Sequence, residues 1–206
     1  VKDMVQALKE LPDCLPLALE LIDKHIIEAG KMSPHLQSKL SFLPETCDAL
    51  IVYEFSKDDR EAQNACLQMH KLQKNTSATV IIDDPVTQND VWNLRKSGLG
   101  LLLSKRSYSR AIAFIEDIAV PHKMLAPFTE QLICCLQKHG KDAGIYGHIG
   151  DGCLHIRPYI NLLDSHDMAI METILQEIAI LVKSFHGVLS AEHGDGLIRS
   201  YLNKIM

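Results

Sequence analysis

No stretch of this 206-residue chain approaches the roughly 20 consecutive apolar residues needed to cross a bilayer, and Val1 onward lacks the basic-then-apolar layout of a secretory leader. A positive excess is missing too. With 21 Lys and Arg against 26 Asp and Glu the formal charge is -5, so no bulk field exists to neutralise phosphates, and nucleic acid is set aside as a partner. The six cysteines, Cys14, Cys47, Cys66, Cys134, Cys135 and Cys153, contain no Cys-x-x-Cys pair, which argues against a zinc knuckle, a redox dithiol or an iron–sulfur nest within the chain. Reduced thiols in a cytoplasmic protein are the expectation, with Cys134-Cys135 packed inside a helix. Neither internal repeats nor linkers rich in Gly, Ser or Pro interrupt the sequence. At 47% hydrophobic and 23% charged it can bury a core, and one compact domain is the simplest count.

Short apolar runs alternate with helical patterns. Leu15 to Ile22, Ala49 to Phe55, Ala78 to Ile82 and Ala111 to Val120 read as strands, rich in branched residues and bounded by turn formers. Helices are expected over Lys57 to Lys74, Thr87 to Ser104, Pro121 to His139 and Asp164 to Phe185. In the last of these Met168, Met171, Ile174, Leu175, Ile178, Leu181 and Val182 form a core-facing stripe. A hairpin after Ala143 rules against a wholly parallel sheet, so the expected class is α+β, with helices packed on an antiparallel sheet.

That hairpin, AGIYGHIGDGCLHIRPYI over Ala143 to Ile160, carries the chemistry. Asp151-Gly152 signals a two-residue type I′ turn, which would pair 150 with 153 and place His148 opposite His155. Alternation sends Ile145, Ile149, Leu154 and Ile156 to one face and Tyr146, His148, His155, Arg157 and Tyr159 to the other. Paired imidazoles about 5 Å apart at Cβ can share one divalent cation, so His148 and His155 are candidate metal ligands. Arg157 would set a positive fork beside them, suited to a carboxylate. The plainer alternative is a polar sheet face that merely meets water.

A second cluster, GVLSAEHGDG over Gly187 to Gly196, delivers Glu192 and His193 to a glycine-rich turn. In extended backbone the two point to opposite sides, so only one joins the histidines unless the turn bends them together. Glu192 as third ligand gives an open His, His, Glu set and leaves His193 as a base. Asp195 either supports a ligating histidine or caps the following helix. His25, His35, His70, His122, His139, His166 and His186 stand alone in pattern and read as surface or helix-end residues.

GHIGDGCLHIRP (Gly147 to Pro158) followed by SAEHGDGLIRS (Ser190 to Ser200) resembles the C-terminal substrate domain of FAD-linked oxidases in the vanillyl-alcohol oxidase superfamily, whose members include D-lactate, glycolate and D-2-hydroxyglutarate enzymes. FIEDIAVP (Phe114 to Pro121) matches that domain's middle segment, and upstream only VWNLR (Val91 to Arg95) is recognisable. The resemblance implies a ferredoxin-like antiparallel sheet with helices packed on one face. It makes residues 1–206 a partial substrate domain, an excised piece of a larger protein whose FAD-binding domain lies elsewhere and whose membrane association, where there is any, comes only through other parts. It implies oxidation of a D-2-hydroxy acid by hydride transfer to FAD, with His148, His155 and Glu192 binding a divalent metal (zinc or manganese) and His193 as base. Arg95 and Arg157 would bind the substrate carboxylate, and Arg199 would face the flavin or the substrate. Cys153 and Arg157 stand where many members have Asn, as in large members fused to an iron–sulfur domain, so an iron–sulfur cluster elsewhere in the protein is implied. Leu99 and Ile115 replace a Thr and a Lys of the hydroxyglutarate enzymes, and substrate identity stays at the level of a 2-hydroxy acid. Away from the resemblance, the residues also admit a self-contained zinc metallohydrolase or a non-catalytic α+β binding or dimerisation module. The excised piece by itself is expected to be inactive as an oxidase.

Overall fold

The computed structural model describes residues 16–56, 58, 60–72 and 78–206, with the side chains of 68–72 excepted. Six strands form one antiparallel sheet: β1 (Ala18–Asp23), β2 (Ala49–Glu54), β3 (Ser109–Ala111), β4 (Glu116–Ala119), β5 (Ala143–Gly147) and β6 (Cys153–Asn161). The order is β2-β1-β5-β6, and β3 and β4 share the far edge of β6. This is the expected antiparallel α+β class.

Two helices, α4 (Leu125–Lys138) and α5 (Ser165–Ser184), cover one face. Phe128, Leu132, Ile174 and Ile178 pack there against Leu21, Ile118, Ile145, Leu154 and Ile156, so the expected stripe of α5 is core from Met171 to Val182, while Met168, 49% exposed, lies outside it. The resemblance placed helices on one face only. The structure adds α1 (Lys24–Met32) and α3 (Pro85–Ser104) on the other, where Ile26, Ile27, Leu94 and Leu102 pack on Ile22, Tyr146 and Tyr159. Strand β6 is therefore buried on both sides along almost its whole length. Helix starts follow their caps: Asp23, Asp84 and Asp164 accept backbone N–H groups of α1, α3 and α5, and Pro85 opens α3 where its missing N–H costs nothing. Helix α2 (Arg60–Leu72) keeps Ala62, Ala65 and Cys66 half-buried, and helix α6 (Gly196–Arg199) closes the chain with a 3-10 turn over Ser200–Lys204.

Three local expectations are corrected. No strand forms over 78–82: Val80 is 62% exposed, because β-branched residues gain from extended backbone only where a neighbouring strand receives them. The single strand expected over Ala111 to Val120 splits into β3 and β4, since four residues, 112–115, stand opposite only Arg157 and Pro158 of β6, and Pro158 has no N–H to give that edge. The hairpin register slips by two. Tyr146, not His148, pairs with His155, and the connection is a 3-10 turn over Ile149–Asp151 closed by Gly152 at φ 73. A slip of two preserves the faces, so each side chain keeps the face expected for it, although Tyr146 and Tyr159 on the polar face pack into a second apolar cluster. The first residue of the strand expected from Leu15, and the ends of the helix expected over Lys57 to Lys74, lie outside the described residues.

Gly152 carries two demands at once, a left-handed φ and the Val120 carbonyl oxygen standing where a Cβ would have to go. Gly140, at φ 65, has nothing within 4 Å of that point. Gly152→Ala is expected to cost at least about 2 kcal/mol and Gly140→Ala about 1 kcal/mol, measured by urea unfolding. Equal losses would show that the close approach to Val120 carries no weight.

Candidate metal and substrate site

The polar residues of β5 and β6 share the α1 and α3 side of the sheet. Extending the β1–β5 register from Leu21 opposite Gly147 puts Glu20 opposite His148, and the Glu20 Oε1 atom lies 2.7 Å from His148 Nδ1. A carboxylate can only accept, so Nδ1 carries the proton and Nε2 keeps its lone pair for whatever lies in front. In front lies Glu192, with Oε1 3.7 Å from His148 Nε2 and Oε2 3.9 Å from His155 Nε2. The two imidazoles sit edge to face with centroids 5.7 Å apart. One donor atom from each of His148, His155 and Glu192 falls within 4.8 Å of the other two.

These donors fit a divalent cation. Bonds of about 2.0–2.1 Å to nitrogen and oxygen set tetrahedral edges of roughly 3.3 Å, so the two nitrogen–oxygen edges, at 3.7 and 3.9 Å, need contract by about half an ångström. Burial pulls the His155 pKa down to about 4, helped by the neighbouring His193, His148 and Arg95, so the ring is neutral at ordinary pH, as a ligand must be. The Glu20 contact on His148 supplies the carboxylate support that metal-ligating imidazoles commonly have.

Both Glu192 and His193 reach this side because the turn bends. Asp117, wholly buried on β4 opposite His155, accepts the backbone N–H of Glu192 at 2.6 Å and of His193 at 2.7 Å on the same oxygen. The His193 ring then stacks on His155 at 5.0 Å and 14°. Its Nδ1 lies 3.2 Å from Glu116 Oε1. Strand alternation would aim Glu116, paired with Ile156, at the apolar core; a φ of 62 breaks the alternation and turns its carboxylate toward the site.

The three arginines are all engaged. Arg95 Nε donates to Glu20 Oε2 at 2.7 Å while its guanidinium lies over the Tyr146 ring, and its buried Nη2 has no partner. Arg157 Nη2 donates to Glu116 Oε1 at 2.6 Å, and its buried Nε is likewise unpartnered. Arg199, 5% exposed, points inward: Nη1 donates to Asp117 Oδ1 and to the carbonyls of Ile115 and Leu189, and Nη2 to the Gly194 carbonyl. It is placed to brace the 189–195 loop against β4. Asp195 makes no side-chain cap on α6 and accepts from Asn203.

Glu20, Glu116 and Asp117 were not singled out from the sequence. Their signal was there, as charged residues inside the apolar strand runs LALELI and FIEDIAV, since a carboxylate at a core position needs a partner. Burial would raise the Asp117 pKa, but the His193 and Glu192 N–H groups and Arg199 outweigh it and hold the carboxyl at about 2, below its ordinary 3.8. Stability from Asp117 is thus fully present above about pH 4 and is lost as pH falls through 2. Asp117→Asn should cost about 3–5 kcal/mol at neutral pH, since it leaves Arg199 buried without its charge, and should flatten the acid limb of stability between pH 4 and 2. Denaturant melts across that range read both effects; an Asn variant as stable as the parent would remove Asp117 as the brace.

Residues 1–205 match the family model described as FAD linked oxidases, C-terminal domain. Among curated relatives, D-2-hydroxyglutarate dehydrogenase of Pantoea ananatis is 28% identical over 198 residues, covering 90% of this chain and 19% of the relative. The Escherichia coli protein of the same name is 27% identical over 198 residues, covering 90% and 19%. A probable mitochondrial D-2-hydroxyglutarate dehydrogenase of rice is 25% identical over 188 residues, covering 89% and 32%. The chain spans about a fifth of the length of the Pantoea ananatis and Escherichia coli relatives. With nearly every residue inside the match, the chain belongs to the family of FAD linked oxidases, as their C-terminal domain.

Proposed function

We propose that this chain is the substrate domain of a flavin-dependent dehydrogenase that oxidises a D-2-hydroxy acid, of the D-lactate or D-2-hydroxyglutarate class. The convergence of His148, His155 and Glu192 beside the stacked His193 carries this reading. His148, His155 and Glu192 would hold zinc or manganese and His193 would be the base. When bound, the metal supplies Lewis acidity to the substrate hydroxyl, and FAD, held by another domain of the same protein, supplies the hydride acceptor.

The chain's own residues do the rest. Glu116 Oε1 lies 3.2 Å from Nδ1 of His193, which leaves Nε2 as the nitrogen that would take the hydroxyl proton. The unpartnered Nη2 of Arg95 and Nε of Arg157 leave each guanidinium a donor for a substrate carboxylate even while paired to glutamate. Arg199 contributes indirectly, holding the loop that bears Glu192 and His193. The side chains of His193 and Glu192, 46% and 42% exposed, leave one side of the site open, as a site completed by a flavin on a neighbouring domain requires. Among the described residues no helix is long and apolar enough to cross a membrane; a cytoplasmic location is part of the proposal. Relatives about five times as long have room for both the FAD-binding domain and the proposed iron–sulfur domain.

The test uses the chain joined to its FAD-binding domain, with dye reduction by D-2-hydroxyglutarate and D-lactate as readout. His193→Ala should lower kcat by about 100-fold or more with metal content intact. His148→Ala should lose the metal and the activity together, and chelation should abolish turnover until zinc or manganese is returned. Ester or amide hydrolysis by the isolated chain with added zinc, or full activity in the His193 variant, would overturn the reading.

A further inference from the structure

On the opposite face of the sheet, α4 and α5 bring together three side chains that the sequence showed only as scattered. Cys135 and His139 are four residues apart, one turn along α4, with His139 the residue that caps it. Glu177 meets them from α5, its Oε2 3.4 Å from Cys135 Sγ and 3.0 Å from His139 Nε2. One donor atom from each residue lies within 4.8 Å of the other two. Lys138 Nζ occupies the other oxygen, Oε1, at 2.7 Å, so Oε2 is the one turned to the cluster.

We propose that Cys135, His139 and Glu177 form a second divalent-metal site, of a chemistry suited to zinc, that ties α4 to α5. Thiolate, imidazole and carboxylate together are a borderline-soft donor set of the kind zinc accepts. Bond lengths of about 2.3 Å to sulfur and 2.0–2.1 Å to nitrogen and oxygen set tetrahedral edges of roughly 3.3–3.6 Å, and the two measured edges lie within a few tenths of an ångström of that range. The surroundings are graded as a metal site needs. The His139 side chain is 14% exposed, Glu177 is 32% exposed, and an open hollow lined by Gln131, Cys134 and Leu181 admits a water as fourth ligand. Lys138 plays the outer partner, orienting the carboxylate without blocking the ligating oxygen. Without the ion the Cys135 thiol and the His139 Nε2–H both donate to Glu177; binding breaks the S–H bond, forms the metal–sulfur bond and releases that proton to solvent, while the His139 proton shifts from Nε2 to Nδ1 so that Nε2 can ligate.

This site shares no residue with His148, His155 and Glu192, whose donors are nitrogen and oxygen only, so the two are separable by spectroscopy. Titration of the chain bearing both His148→Ala and His155→Ala with Co2+ is expected to give a thiolate-to-cobalt charge-transfer band saturating at one equivalent, displaced by Zn2+. Cys135→Ser should abolish the band, and Glu177→Gln should weaken Co2+ binding by about ten-fold or more. In the unsubstituted chain, Zn2+ should protect Cys135 from alkylation, read by peptide mass, which tests the site without any variant that must fold. Absence of a thiolate band, its survival in Cys135→Ser, or unprotected Cys135 in saturating Zn2+ would each overturn the proposal.

Discussion

One buried carboxylate decides whether the polar half of this molecule is a site at all. Asp117 lies on the edge strand β4 with no solvent contact, and its two oxygens gather two consecutive backbone N–H groups, a guanidinium and the Ser190 hydroxyl. Consecutive residues of an extended chain face opposite ways; converging two adjacent N–H groups on one oxygen forbids extension. Glu192 and His193 consequently face the same way, one toward the two imidazoles and the other stacked upon them. Arg199 closes the arrangement from the far end of the loop, directing its donors to Asp117 and to four backbone carbonyls. A charged pair at this depth is expensive to desolvate, and it is tolerated because its hydrogen bonds are so nearly complete.

The remaining electrostatics extend the same logic outward. Each ring that faces the proposed reaction centre has an acidic group near it: Glu20 behind His148, Glu116 beside His155 and His193. Each of those glutamates is in turn held by an arginine, Arg95 for the first and Arg157 for the second. The Glu20 carboxylate orients the His148 ring through a hydrogen bond, and the arginines hold both carboxylates in place while retaining an unpaired donor each. Glu116 reaches this layer only through a left-handed backbone conformation, a strain that the surrounding ion pairs hold in place.

The same sheet separates two chemically unlike environments. On one side the apolar stripes of α4 and α5 bury an unbroken hydrocarbon layer, and at their outer seam lie Cys135, His139 and Glu177. On the other, α1 and α3 cover the aromatic and charged residues of β5 and β6 so that His155 and Arg157 are buried without being apolar. Burial on that side is what drives His155 toward its neutral, ligating form.

Much of this was legible beforehand. Alternation along Ala143 to Ile160 sorted every residue of the hairpin to its correct face, because side-chain direction has a period of two that a slip of two leaves unchanged. Helical periodicity placed α3, α4 and α5, since each has an apolar stripe that only a core can satisfy. Local pattern could not supply the distance between Glu20 and His148, the turn that unites Glu192 with His193, the swing of Glu116, or the meeting of Cys135 with Glu177. Those depend on contacts between residues 41 to 128 positions apart. What the amino-acid order determined alone was which side chains share a face and which elements form, through short-range sterics and apolar periodicity. What only the tertiary structure decided was which charges meet, because a buried charge takes its role from the partner that packing brings to it.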